Sequence, residues 1–161
     1  MKYLRKFNES LSKDDLKNLI YDIEDILVEV DDLNINEEED FIYDVTGGGP
    51  LLNVDISKDD YYYCHFSNKK QFSDVKKILD RVIRQVGDNS IWWIIEVSSY
   101  NSDGDIVTNN FESDQYEKLF NNFLTKEKYV IGDGENESDI NWHMKSLIKG
   151  IKLIFRLKEI L

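Results

Sequence analysis

Leu16, Leu19, Ile20, Ile23, Ile26, Leu27 and Val30 recur at spacings of three and four residues, which gathers them on one side of a helix. Ser12 precedes the run as an N-cap, and Asp15 stands three residues on, where the positive end of a helix favours a carboxylate. The run Glu37-Glu38-Glu39-Asp40 breaks the pattern as a solvated loop. Beyond it the period falls to two. Phe41, Tyr43 and Val45 alternate with Ile42, Asp44 and Thr46, and Leu52, Val54 and Ile56 alternate with Leu51, Asn53 and Asp55. With Gly47-Gly48-Gly49-Pro50 between them, the two runs predict a β-hairpin. Tyr61–Phe66 reads as a third, aromatic-rich strand.

The second half repeats the theme. Ser73 reads as the cap of a helix with Val75, Ile78, Leu79, Val82, Ile83 and Val86 on one face, and Gly87 stands where a helix-ending glycine belongs. Ile91–Val97 is nearly continuous in β-branched and aromatic residues, which predicts a central strand buried on both faces. Asn101-Ser102-Asp103-Gly104 turns it into a further strand, Ile106–Phe111, and Ser113 opens a short helix bearing Tyr116, Leu119, Phe120 and Phe123. Gly132–Glu137 reads as an acidic loop. Ser138 then starts a last helix that buries Leu147, Ile148, Ile151, Ile154 and Phe155. This order predicts an α+β fold with an antiparallel sheet of about four to five strands covered by helices. Two rounds of helix-then-hairpin are compatible with a split, ferredoxin-like layout. The expected division is a basic leader, 1–10, and a single domain, 11–161.

Composition narrows the function classes. A chain of 161 residues suffices for one self-standing core. Cys64 is the only cysteine, so no intrachain disulfide can form, as in a reducing compartment. No stretch approaches the ~18 apolar residues of a membrane span, and the opening residues do not have the pattern of a secretory signal. Alanine is absent and Pro50 is the only proline. Because alanine is the best helix former, its absence reads as coding bias of an AT-rich genome. The net charge is −12, but residues 1–6 and 138–161 each carry +3, leaving −18 for 7–137. A body that negative repels phosphate backbones, and it either suits a partner with a basic surface or serves solubility alone.

Candidate chemistry is sparse. Cys64-His65 cannot form a dyad on a strand, where neighbours point to opposite faces, and one cysteine with His65 and His143 makes a poor zinc set. Asn101, Asp103, Asp105, Asn109 and Glu112 fall at positions 1, 3, 5, 9 and 12 of a calcium loop. Ile106 replaces its turn glycine, however, and the flanks read as strands rather than helices. Gly47-Gly48-Gly49-Pro50 joins strands, whereas a phosphate cradle opens a helix. Of Trp92 and Trp93, only one can face a given side. Lys145, Lys149, Lys152 and Arg156 recur at four, three and four residues, which makes one basic stripe on the expected last helix. Such a helix either packs on its own domain, its stripe complementing the acidic remainder, or docks on a membrane surface or partner; with the acidic run Glu37, Glu38, Glu39 and Asp40, the stripe supplies the candidate partner-binding residues. No cofactor is expected.

The opening Met1-Lys2-Tyr3-Leu4-Arg5-Lys6-Phe7-Asn8-Glu9-Ser10 resembles the leaders of many small proteins of large tailed bacteriophages with AT-rich genomes. The resemblance implies an accessory protein, in the cytoplasm of an infected bacterium or in the virion. It brings no catalytic residues. The expectation is therefore a non-catalytic acidic protein that engages a host or phage protein with a basic surface. A virion or assembly component is the alternative, followed by a nucleotide- or metal-binding sequestering protein or enzyme.

Overall fold

The computed structural model describes residues 11–34, 41–47, 49–59, 65–66, 68–101, 103–125 and 147–158. Its helices are α1 (Lys13–Leu27), α2 (Lys69–Val86) and α3 (Tyr116–Thr125), and its strands are β1 (Phe41–Gly47), β2 (Leu51–Lys58), β3 (Ser90–Tyr100), β4 (Ile106–Glu112) and β5 (Leu147–Leu157). The strands form one antiparallel sheet in the order β1-β2-β5-β3-β4. The α+β class and the antiparallel sheet under helices are as the residue pattern predicts. The two hairpins are not interleaved as a split layout would have them. Each stays whole on its own side of β5.

Local signals explain most boundaries. Ser12 Oγ accepts from the Asp15 backbone N–H at 3.0 Å, and the Asp15 carboxylate accepts from the Ser12 N–H at 3.3 Å. This reciprocal cap satisfies two orphan donors of α1 and is worth about 1 kcal/mol. After Leu27 the chain tightens into a 3-10 turn, Val28–Leu33, that keeps Val30 in the core. Helix α2 begins earlier than expected. Asn68 is its cap, accepting from the Gln71 N–H at 3.0 Å, and Ser73 lies one turn inside. Gly87 ends it with φ +48°, a conformation that favours glycine. Glu112 rather than Ser113 caps the next turn, Ser113–Gln115, which leads into α3.

The largest departure is at the C-terminal end. Where a helix was expected there is β5, the central strand, with Ile151, Leu153, Phe155 and Leu157 buried at alternate positions. The predicted strand over 61–66 lies outside the described residues except for His65 and Phe66, which are not in a strand. Phe66 is buried, and its backbone N–H donates to Ile148 O at 2.8 Å.

All three helices lie on one face of the sheet, with α2 between α1 and α3. Leu52, Val54, Ile56, Ile95, Val97, Ile151, Leu153 and Phe155 meet Leu19, Ile23, Phe72, Leu79, Val82 and Phe120 across this interface. A continuous run of rings passes through it from Phe41 by way of Phe66, Phe72, Phe123, Phe120 and Tyr116 to Trp93, with neighbouring centroids 4.6 to 5.6 Å apart. Such pairs add about 0.5–1.5 kcal/mol each beyond the area they bury, so this run ties sheet to helices along a path from β1 to β3. Among the described residues no element covers the opposite sheet face. The expectation for Ile91–Val97 is not met: Ile91 and Trp92 are 65% and 47% exposed, and within that run only Ile95 and Val97 are buried.

Candidate functional site

Helix α1 and its 3-10 extension carry eight carboxylates against two lysines between residues 12 and 34, and all eight are exposed. The amphipathic period leaves no alternative. With Leu19, Ile23, Ile26, Leu27 and Val30 turned inward, every acid falls on the outer surface. Some are engaged within the chain. Asp15 belongs to the cap, Asp22 accepts from Gln85 Nε2 at 3.2 Å, and Glu29 pairs with Arg81. Asp31 takes a long hydrogen bond from the Tyr43 hydroxyl, 3.5 Å. Asp14, Glu24, Asp25 and Asp32 have no hydrogen-bond or ion-pair partner among the described residues.

Between α1 and α2 the surface dips into an open, polar groove of about 670 Å³ walled by Asp15, Asn18, Asp22, Arg84, Gln85 and Asp88. Asp22 and Gln85 bridge it by their hydrogen bond. The walls carry three acids and one arginine, so the groove extends the acidic character of α1 without focusing it on one point.

A second polar cluster lies where α2 meets α3. The Tyr116 hydroxyl donates to Asp80 Oδ1 at 2.6 Å, Lys76 Nζ lies 3.0 Å from Asp80 Oδ2, and the same ammonium is 3.3 Å from Glu117. Burial first, then the hydrogen bond to Asp80 and the charges of Asp80 and Glu117, push the Tyr116 phenol well above its usual range. Burial pulls Lys76 the other way, but Asp80 and Glu117 outweigh it and hold its ammonium above the ordinary lysine range. This cluster clamps α2 to α3.

The uncovered sheet face carries a charged row running across four strands, Asp44, Asp55, Lys152 and Glu96. Lys152 Nζ stands 3.8 Å from Glu96 Oε1. Burial raises the Asp55 carboxyl against the opposing pull of Lys152 and Lys149, with Asp44 and Glu96 adding to the rise. The row is edged by Ile94, Ile154 and the exposed Trp92 and Leu51. Trp93, on the other side of β3, packs against Tyr116 and Phe155.

The residues singled out from the sequence are mostly not brought together. Asn101 Oδ1 accepts from the backbone N–H groups of Asp103 and Asp105, at 3.0 and 2.9 Å, so it closes the β3–β4 turn. Asn109 is buried on the core side of β4, and the Glu112 carboxylate caps the turn into α3. The five calcium-loop positions therefore do not converge. Among the described residues no group of three or more His, Cys, Asp or Glu side chains could hold a metal ion. Lys149, Lys152 and Arg156 lie on β5, not on a helical stripe, and Lys152 and Arg156 share the uncovered face. Glu37, Glu38, Glu39, Asp40, Lys145, Cys64 and His143 lie outside the described residues.

Two features were not read from the sequence. Asn34 pairs with the Phe41 backbone like a strand partner: its amide Nδ2 donates to Phe41 O at 3.0 Å and its Oδ1 accepts from Phe41 N–H at 2.7 Å. Lys58 is buried, its ammonium 4.0 Å from the centre of the Phe41 ring. No described helix is long and apolar enough to cross a membrane. No family model matches the chain, and no curated protein or solved structure shows significant similarity to it.

Proposed function

We propose that this protein is a non-catalytic interaction module whose acidic α1 surface docks against a basic face of another protein, as an accessory factor of a bacteriophage would. The observation that carries the reading is the outward array on α1 and its 3-10 extension, in which Asp14, Glu24, Asp25 and Asp32 are exposed and have no hydrogen-bond or ion-pair partner among the described residues. Asp25 stands three residues from Asp22 on α1, and like charges at that helical spacing repel at a cost of a few tenths of a kcal/mol. A basic surface would relieve that repulsion, raise the association rate and select against acidic competitors. The hydrophobic stripe beneath fixes the geometry of the array, so little ordering entropy is lost on binding.

The test is capture from bacterial lysate on immobilised protein at low ionic strength, with a Glu24→Gln/Asp25→Asn/Asp32→Asn variant in parallel. The wild-type chain should retain a defined basic partner that the variant does not. The variant should melt within a few degrees of wild type, because exposed surface changes are usually within about 0.5 kcal/mol. Equal retention by both proteins would remove α1 from the account.

A further inference from the structure

We propose that the outer edge of β4 is a second docking element, which accepts an extended segment of a basic partner as a sixth strand of the sheet. The proposal rests on the same reading of a protein that binds basic partners, but it concerns a different surface and a different kind of contact. Strand β4 ends the sheet, and its ladder with β3 runs without a register shift from Ile94↔Glu112 to Tyr100↔Ile106. The Asn101 N–H donates to Asp105 O at 2.9 Å, one step beyond that ladder. In an antiparallel pair, residues with both backbone groups turned toward the partner strand alternate with residues that turn both away. Counting from Asn101 and Asp105, Val107, Asn109 and Phe111 face β3. Ile106, Thr108, Asn110 and Glu112 therefore direct their N–H and C=O groups outward.

The two edges of the sheet differ. On β1 the same alternation turns Phe41 outward, and the Asn34 side chain meets both of its backbone groups. Strand β4 has no such cover among the described residues. From Ile106 to Phe111 it also lacks every device that blunts an edge: it contains no lysine, no proline, no charge and no bulge. Ile106, at its start, is 51% exposed.

Charge selects the occupant. Between Arg84 and Lys118 the chain has seven acids and no lysine or arginine. Asp103 and Asp105 stand before β4, and Glu112, Asp114 and Glu117 stand at and beyond its end. An uncharged strand with carboxylates at both ends fits a segment with an uncharged, β-prone centre flanked by lysine or arginine. Two copies of this chain would bring like charges together at both ends of such a pairing, which disfavours self-association.

The test uses the full chain and a synthetic peptide of alternating threonine and valine with lysines at both ends, followed by amide chemical shifts. Shifts should centre on residues 106–112. Asn110→Pro removes an outward N–H and leaves the β3 ladder intact, a position where an edge strand tolerates proline. It should weaken the peptide at least about tenfold with little change in melting. A peptide methylated on every central backbone nitrogen, which blocks both of its edges, should fail against the wild-type chain, and this keeps the test independent of how the variant folds. Undiminished binding to Asn110→Pro, shifts centred on α1, or concentration-dependent dimers through β4 would each overturn the proposal. The α1 variant should still bind the peptide. Loss of the β4 effect alone leaves the reading of α1 standing.

Discussion

Tyr116 shows how one side chain can serve two purposes. Its ring continues the aromatic run between Phe120 and Trp93, and its hydroxyl donates to Asp80, which also holds Lys76. The periodic spacing of Tyr116, Leu119, Phe120 and Phe123 identifies the apolar side of α3. It cannot reveal a hydrogen bond to a residue 36 positions earlier, because nothing in a local pattern encodes that meeting. Both Tyr116 and Lys76 keep their protons to higher pH in the folded chain than in the unfolded one. Their contribution is therefore complete below the unfolded values, near 10, and declines as pH rises beyond them. Tyr116→Phe should cost about 1 kcal/mol at neutral pH, and its stability should fall less steeply than wild type above about pH 10. Denaturant titrations at neutral and alkaline pH would check both parts. Burial raises the Asp55 carboxyl too, so its contribution likewise falls as pH rises, but in the acidic range, and at neutral pH its ionised form costs stability.

The residues of β5 carry two periods at once. Lys145→Lys149 and Lys152→Arg156 are spaced by four, and four is a multiple of the strand period as well as close to the helical one. The alternation of Ile151, Leu153, Phe155 and Leu157 with Lys152, Ile154 and Arg156 is equally present in the same residues. Only the spacing of three from Lys149 to Lys152 argues for a helix. The sheet absorbs it by an irregularity, a register shift opposite Ser98/Ser99 that inserts Lys149 between Ile148 and Gly150. Helices α1 and α2 were legible because each has a long one-faced run, and the hairpins because glycine or Asx turns separate alternating runs. A central strand formed late in the chain, paired with β2 and β3, depends on long-range contacts that periodicity does not report. Gly150 also belongs to this seam. A Cβ placed there would stand 2.7 Å from Ser57 Cβ on β2. Gly150→Val should therefore destabilise by about 1–3 kcal/mol, as overpacking does, and a thermal melt against wild type would show it.

Across the whole molecule, polar and apolar surfaces are divided by the sheet. One face is sealed by α1, α2 and α3, and the acids of α1 lie outermost on that side. The other presents the row Asp44, Asp55, Lys152 and Glu96 with no cover among the described residues. The net charge of −12 was legible from composition, but its division into a helical array and a flanked sheet edge was not. That division depends on which residues share an element, and on which strand ends the sheet. Electrostatic attraction should bring a basic protein to α1, and backbone pairing at β4 should add register. The most direct measurement is a titration of the captured partner against the wild-type chain and the Glu24→Gln/Asp25→Asn/Asp32→Asn variant over a series of ionic strengths. Affinity for the wild-type chain should fall steadily as salt rises, with a shallower slope for the variant. An affinity that does not change with salt, or identical slopes for the two proteins, would contradict it.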